Sequence, residues 1–475
     1  MRRFVLISIV TVAVLGVPSS SFAAPNGIDV PDGFKILERA KLADGLIHYR
    51  LQRSQPAAVV NVAWRAAGAP SELRVVLSND AIAGFHPQAE LTSAMCERLN
   101  CAVAVNGDFF AGEGQPVGAV LSDGRLMRSP NPKHHQFSIA EDGTMSTGSL
   151  AWRGTVVPTD LQPLELDGVN VVRDADELVL YTPSFGPTTG TNPYGVELVL
   201  EVVRPGGPMR VGQTIVVRLA EIRRAGDTSI PVDGAVLSGH GRSALALLAL
   251  WERLRGGEVG EEALLRLDVD PDATNSVGGS PILVRDGRRW FAMEDRELYR
   301  LRHPRTMVGW TAAGDLLLVT VDGRQPGYSE GMTMVEAAEL MIDLGADEAI
   351  NMDGGGSTSF VVDGDIVNRP SDRAVRREGG SQIVSVPRST DRVLGNAERP
   401  VAVALALVGP GSPSIPAPLL ATGGLAIPLS GSNGGSSPRL VLGSDVARQD
   451  TAPIVLVLMT VSMGAVVVRR RAAAA

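Results

Sequence analysis

Two short runs set an asparagine and an aspartate two residues apart: Asn106-Gly107-Asp108 and Asn351-Met352-Asp353. Each follows an apolar stretch, Ala104-Val105 in one and Ala349-Ile350 in the other. On an extended chain, residues i and i+2 share a face. Each run would therefore present an amide and a carboxylate side by side, a pair suited to acid–base or electrostatic work on a polar substrate. The second run continues into Gly354-Gly355-Gly356-Ser357-Thr358. Glycines let a ligand approach the backbone closely. Their amides suit a small anion, and the two hydroxyls can cap the next element or meet a sugar. An Asp-Gly turn would produce the same letters for a local reason. The recurrence of the pattern favours a paired site.

A second group lies in His303-Pro304-Arg305-Thr306. An arginine fork matches phosphate oxygens, and a histidine can orient a phosphate or move a proton near neutral pH. Arg369 is a further cationic candidate, set among other charges. Asp268, Asp270 and Asp272 alternate as at the start of some calcium loops, but Ala273 breaks that loop and Gly279 stands where its last acid belongs. A solvated acidic turn is the expectation there. The metal ligands are left unassigned, with calcium in another geometry the one cofactor kept open. No P-loop, zinc set or paired-cysteine redox motif is present. Cys96 and Cys101 are the only cysteines. A local disulfide is expected in an exported chain, fixing the segment that feeds Asn106 and Asp108.

The elements that must position these groups are read from periodicity. Strands are expected at Val59–Trp64, Leu73–Leu77, Glu177–Tyr181, Val196–Val203, Thr214–Leu219, Leu316–Val321 and Ser381–Val386. Helices are expected at Leu91–Leu99, Arg242–Arg255 and Thr333–Leu344, the last opened by a Thr333/Glu336 capping box. Asp123-Gly124, Asp286-Gly287 and Asp363-Gly364 each follow an apolar stretch and favour hairpins. Helix, strand, Asn-x-Asp, loop and hairpin thus occur twice. The fold class is α+β: a β-rich, mixed-sheet catalytic domain with two related halves.

The ends speak to address. Met1-Arg2-Arg3, an apolar run from Phe4 to Val17 and small residues up to Ala24 read as a signal peptide, 1–23, cleaved after Ala23. A lead-in, 24–54, precedes the domain at 55–408. A Gly-, Ser- and Pro-rich linker at 409–451 lacks the apolar mass to order itself. The apolar run Ala452–Val468 before Arg469-Arg470-Arg471 reads as a single membrane anchor, with 469–475 as a cytoplasmic tail. The expected location is the cell surface. The formal charge is -8; losing the leader's two arginines takes it to -10, and setting aside the three terminal ones takes it to -13. An acidic outer part argues against nucleic acid as partner and leaves room for a local basic pocket.

In their order along the chain, these motifs resemble the phosphodiester glycosidase family. The matching residues are Asn106-Gly107-Asp108-Phe109-Phe110, His303-Pro304-Arg305-Thr306, Asn351 to Ser357 and Arg369-Pro370, with Tyr181-Thr182-Pro183, Gly278-Gly279-Ser280 and the helix entry at Gly331–Leu344. The resemblance covers roughly residues 55 to 405. Relatives often carry Gly where this chain has Asp108, and Val403 stands where the resemblance implies Asn. It implies hydrolysis of a sugar-1-phosphodiester, or a phosphorylated glycan, at the anomeric carbon. Asp353, with Asn351, Asn106, Asp108 and His303, would form the catalytic set. Arg305, Thr306, Gly354, Gly355, Gly356, Ser357, Thr358 and Arg369 would hold substrate and phosphate. The alternatives are a non-catalytic glycan-binding protein and a phosphodiesterase cutting a P–O bond, which would need a clearer metal set.

Overall fold

The structure, a computed structural model, describes residues 27–412 except 83–88, 112–113, 159–161, 255–261, 292–296, 378–379 and 385–391. The chain is β-rich and arranged in several sheets. An eight-stranded sheet runs in the order Phe34–Ala43, Leu46–Ser54, Ala57–Arg65, Leu316–Val321, Arg305–Trp310, Glu348–Asn351, Ile282–Arg285 and Arg288–Arg289. The expected lead-in therefore supplies the first two strands of this sheet. A five-stranded sheet orders Asp365–Ile366, Phe360–Val362, Cys101–Asn106, Val403–Val408 and Glu72–Leu77. A second five-stranded sheet carries Arg125–Arg128, Val120–Ser122, Asn275–Gly279, His135–Ile139 and Met145–Gly148. Another eight-stranded sheet holds the long strands Gly195–Arg204, Thr214–Arg223 and Glu262–Asp270, and a small three-stranded sheet begins at Arg373.

The central strands read as near-continuous apolar runs because both faces are covered. Val103, Val105, Val308, Ile350, Met352, Phe360, Val403 and Leu405 share one buried cluster, which joins the first eight-stranded sheet to the Cys101–Asn106 sheet. Phe360 is fully enclosed and stacks at 5.1 Å on the buried His48 ring. Burying one such side chain contributes roughly 2–3 kcal/mol. The two strands that end in asparagine therefore arrive from different sheets at a common core.

Local signals explain the connections. Asp123-Gly124, Asp286-Gly287 and Asp363-Gly364 all have positive φ at both positions, the backbone of a two-residue hairpin turn whose twist matches its strands. The three hairpins form as expected. The helix Met334–Asp343 starts at Thr333, whose hydroxyl accepts from Glu336 N while the Glu336 carboxylate accepts from Thr333 N. The helix Thr92–Leu99 ends at Asn100 in the left-handed conformation, and the chain then enters the strand Cys101–Asn106.

A Cys96–Cys101 disulfide closes that helix–strand junction, with Cα atoms 5.0 Å apart. Both cysteines are buried. Replacing both by alanine is expected to lower stability by about 2 kcal/mol, the loop-closure value for so short a ring. Urea unfolding of the double variant checks this. Peptide mapping of protein from its native compartment should find the link intact. Among the described residues no helix is long and apolar enough to cross a membrane. The runs read as leader and anchor, 1–23 and 452–468, lie outside the described residues.

Candidate functional site

Asn106 ends its strand one residue before the chain turns, and its side chain holds three segments together. Its amide donates to Asp353 O at 2.7 Å. Its carbonyl oxygen accepts from the Thr306 hydroxyl at 2.7 Å and from Ser359 N at 3.1 Å. Asp353 N in turn donates to Gly107 O at 3.0 Å. The two Asn-x-Asp runs are thus in direct contact. Asn106 and Thr306 are both enclosed, with these groups committed to one another. In this arrangement they brace the site, where the sequence reading gives Asn106 a catalytic and Thr306 a substrate-binding role. Asn106→Ala would strand the Thr306 hydroxyl, Ser359 N and Asp353 O. A loss of about 3 kcal/mol is expected, measurable as a shift in the urea midpoint.

Asn351 is also buried, and its amide donates to Ser280 O at 2.8 Å and Met352 O at 2.7 Å. Asp353 comes next on the same wall and is only partly buried. One of its oxygens accepts from Gly354 N at 2.9 Å. Burial pushes its carboxyl up to about 6, and the Asp108 charge adds to the rise; the Ser357 hydroxyl, Arg399 and the Gly354 amide oppose it. A carboxylate near that value can take a proton at neutral pH far better than an ordinary aspartate.

The glycine run is shaped by close packing. Gly355 has φ +65°, and an added Cβ would come within 3.0 Å of the Arg324 guanidinium. At Gly356 a Cβ would collide with Asp372 and Arg399. The expected anion nest is not formed by the first two amides: Gly354 N is bonded to Asp353 and Gly355 N to Pro304 O. Instead, a set of side-chain atoms around the run is buried without a hydrogen-bond partner from the protein: Asn351 Oδ1, Thr358 Oγ1, Ser359 Oγ and Asp372 Oδ1. Buried polar atoms are nearly always paired, and around this run the protein itself leaves these four unsatisfied.

Arg305 does not leave its fork free beside Asp353. It is buried, with Nε donating to Met332 O and Nη2 to Leu298 O and Leu301 O. Burial and the neighbouring Arg324 hold its pKa down to about 10. It ties the loop before its strand to the entry of the helix Met334–Asp343, with the nitrogens expected on a phosphate committed to backbone carbonyls. Two cations act near Asp353, Arg399 and Arg324, and Arg324 is exposed in the turn after the strand Leu316–Val321. Its Nε donates to His303 Nδ1 at 3.3 Å. Because Arg324 can only donate, His303 must carry its proton on Nε2, and that nitrogen is buried and unpartnered. Burial, then Arg324 and Arg305, hold His303 down to about 4. At neutral pH it is thereby held as a neutral donor.

Asp108 is enclosed, accepting from Gly118 N at 2.6 Å and lying 3.0 Å from His134 Nε2. In this position it orients Gly118 and His134. Arg369 stacks over the Tyr328 ring at 5.0 Å. Its backbone N donates to Asp322, a buried carboxylate that also accepts from Tyr328 and Asn368. Asp268 bonds Arg266 at 2.8 Å within its strand. Among the described residues no three acidic, histidine or cysteine side chains are grouped to hold a metal. A cavity of about 1240 Å³ opens at the other ends of the site strands, beside Trp310 and Asp347, away from Asp353. Arg324, Arg399, Asp372 and His134 were missed in the sequence because each owes its place to partners far along the chain.

Residues 212–407 match the family model described as phosphodiester glycosidase. The chain resembles the phosphodiester glycosidases. The match contains His303, Arg324 and Asp353, while Asn106 reaches the site from before it. The N-acetylglucosamine-1-phosphodiester alpha-N-acetylglucosaminidase of Bos taurus is 41% identical over 68 residues, 14% of this chain and 12% of that protein. An SPbeta prophage-derived uncharacterized protein of Bacillus subtilis (strain 168) is 32% identical over 120 residues, 25% of this chain and 18% of that protein. The matched segments thus span less than a fifth of those relatives. A hypothetical protein from Synechocystis shares the fold, with TM-score 0.54 at 19% identity over 78% of this chain and 63% of that one.

Proposed function

We propose that the protein hydrolyses a sugar-1-phosphodiester at the anomeric carbon, releasing a free sugar and a phosphomonoester. The observation that carries this is Asp353, a partly buried carboxyl held near 6, beside the exposed Arg324 cation and the neutral His303 donor. The phosphate sits on the Arg324 guanidinium and takes the His303 Nε2 proton as a hydrogen bond. The charge gained by the departing oxygen spreads over the phosphate oxygens, which makes it a good leaving group, so little protonation is needed. The Asp353 carboxylate faces the anomeric carbon, stabilises the positive character that develops there and takes a proton from the attacking water. The water oxygen joins carbon 1 as the bond from carbon 1 to the bridging oxygen breaks. The bonding electrons leave with the phosphate. Thr358 and Asn351 meet sugar hydroxyls with their unpartnered oxygens.

The relatives named for N-acetylglucosamine-1-phosphodiester cleavage support the reaction class; the sugar and the aglycone of this chain are set by its own residues around Asp353. The Cys96–Cys101 disulfide supports an oxidising, extracytoplasmic setting. The test is turnover across a panel of sugar-1-phosphodiesters, with products resolved by NMR, with and without a chelator. Equal amounts of sugar and phosphomonoester are expected. Binding without any product would make this a glycan-binding protein. Loss of turnover with chelator, restored by calcium, would add an ion to the site.

A further inference from the structure

Asp108 is fully enclosed, yet two basic side chains gather near it. His134 Nε2 lies 3.0 Å from Asp108 Oδ1, and the ring keeps 12% of its surface exposed where the carboxylate keeps none. The second basic group is Arg128, at the end of the hairpin strand Arg125–Arg128 and paired with Val120. Its Nε and Nη1 are buried and have no hydrogen-bond partner from the protein. The charge of Asp108 favours the guanidinium, but the carboxylate's bonds go to Gly118 N and His134. Two buried guanidinium nitrogens without acceptors are costly, and their retention beside one balancing carboxylate points to an external acceptor. The packing here is deliberate: Gly278 lies under Asp108 so closely that a Cβ would fall within 2.4 Å of its carboxylate. The cluster also adjoins the proposed reaction centre, since Gly107, one residue before Asp108, accepts the Asp353 amide.

We propose that Arg128, balanced by Asp108 and flanked by His134, forms a second anion subsite that takes another phosphate of the substrate. The substrate class is then an oligomeric sugar phosphodiester with phosphate on more than one unit. A phosphate offers several acceptor oxygens in different directions, which suits two donor nitrogens of one guanidinium. This deepens the reading above and rests on it.

The full chain is titrated with inorganic phosphate, followed by ³¹P NMR, beside R324M and R128Q. Two phosphate sites are expected in the unmodified chain and one in each variant. A single site, removed by R324M alone, overturns the proposal, as does a folded R128Q that keeps both. If the Arg128 site takes glucuronate and not phosphate, the phosphate assignment falls. On substrates, the ratio of kcat/KM for a two-phosphate over a one-phosphate oligomer should exceed tenfold and fall to near one in R128Q; an unchanged ratio overturns the proposal. If R128Q does not fold, R128K carries the same comparison, with at least a threefold fall expected. Because the titration needs no turnover, two phosphate sites without hydrolysis would reject the glycosidase reading alone. Hydrolysis with one site would reject the second subsite alone.

Discussion

Asp353→Asn is expected to fold normally and to lose about 10³-fold in kcat/KM, within the 10²–10⁴ that a positioned base supplies. Asparagine keeps the shape and can still accept from Gly354 N, so the wall from Asn106 to Gly356 stays in place. It has no charge to oppose the positive sugar carbon and cannot take a proton from water. The same carboxyl sets the pH profile. With its folded value near 6, turnover should rise through that value and level off above it. His303, held near 4, remains neutral across this range and does not produce the limb. The stability effect has the opposite sense to the activity effect. Asp353 is raised above its unfolded value of 3.8, so its stabilising contribution is full below that value and is lost as pH rises through the folded one. D353N should therefore melt higher than the unmodified chain at pH 8, with the difference vanishing near pH 4. A variant that is more stable and nearly inactive is the usual mark of a strained functional carboxylate. Near-normal kcat/KM in D353N would remove Asp353 from the reaction.

Arg324→Met should lower kcat/KM by about 10²-fold, the value of one or two charge-assisted hydrogen bonds to a phosphate. Arg324 is exposed and lies against Gly355, so its removal leaves no cavity and should cost little stability. R324K keeps the charge but loses both the fork and the bond to His303 Nδ1; a fall of about tenfold is expected. The contrasting variant is Arg305→Met. Its guanidinium ties Met332, Leu298 and Leu301, so its loss should appear first as a lower melting temperature. Urea melts and steady-state kinetics on the two methionine variants separate the roles. Unchanged kinetics in R324M would move the phosphate contact elsewhere.

What was legible in the sequence was whatever short-range geometry decides. The Asp-Gly hairpins, the Thr333/Glu336 box and the helix before Asn100 depend on neighbours within a few residues. The strands ending in Asn106 and Asn351 announce themselves because two covered faces demand apolar runs. That these runs belong together was also readable from their shared spacing, although they lie in different sheets. Their descent from duplicated halves stays a proposal. Arg305 and Arg324 could not be sorted in this way. Both are arginines near strand ends, and only the carbonyls of Leu298 and Met332 bury one while the other is left beside Asp353. Asp108 looked like a partner to Asp353 until His134 and Gly118, separated from it along the chain, enclosed it. The anion nest failed for a similar reason: Pro304 O reaches Gly355 N from another segment.

Hydrolysis in H₂¹⁸O tests the central claim most directly. The protein is given a sugar-1-phosphodiester that it turns over, and both products are analysed by mass spectrometry. The account predicts the label at carbon 1 of the released sugar, with the phosphomonoester unlabelled. Label in the phosphate would mean that water attacked phosphorus, and would contradict the assignment of Asp353 to the anomeric carbon.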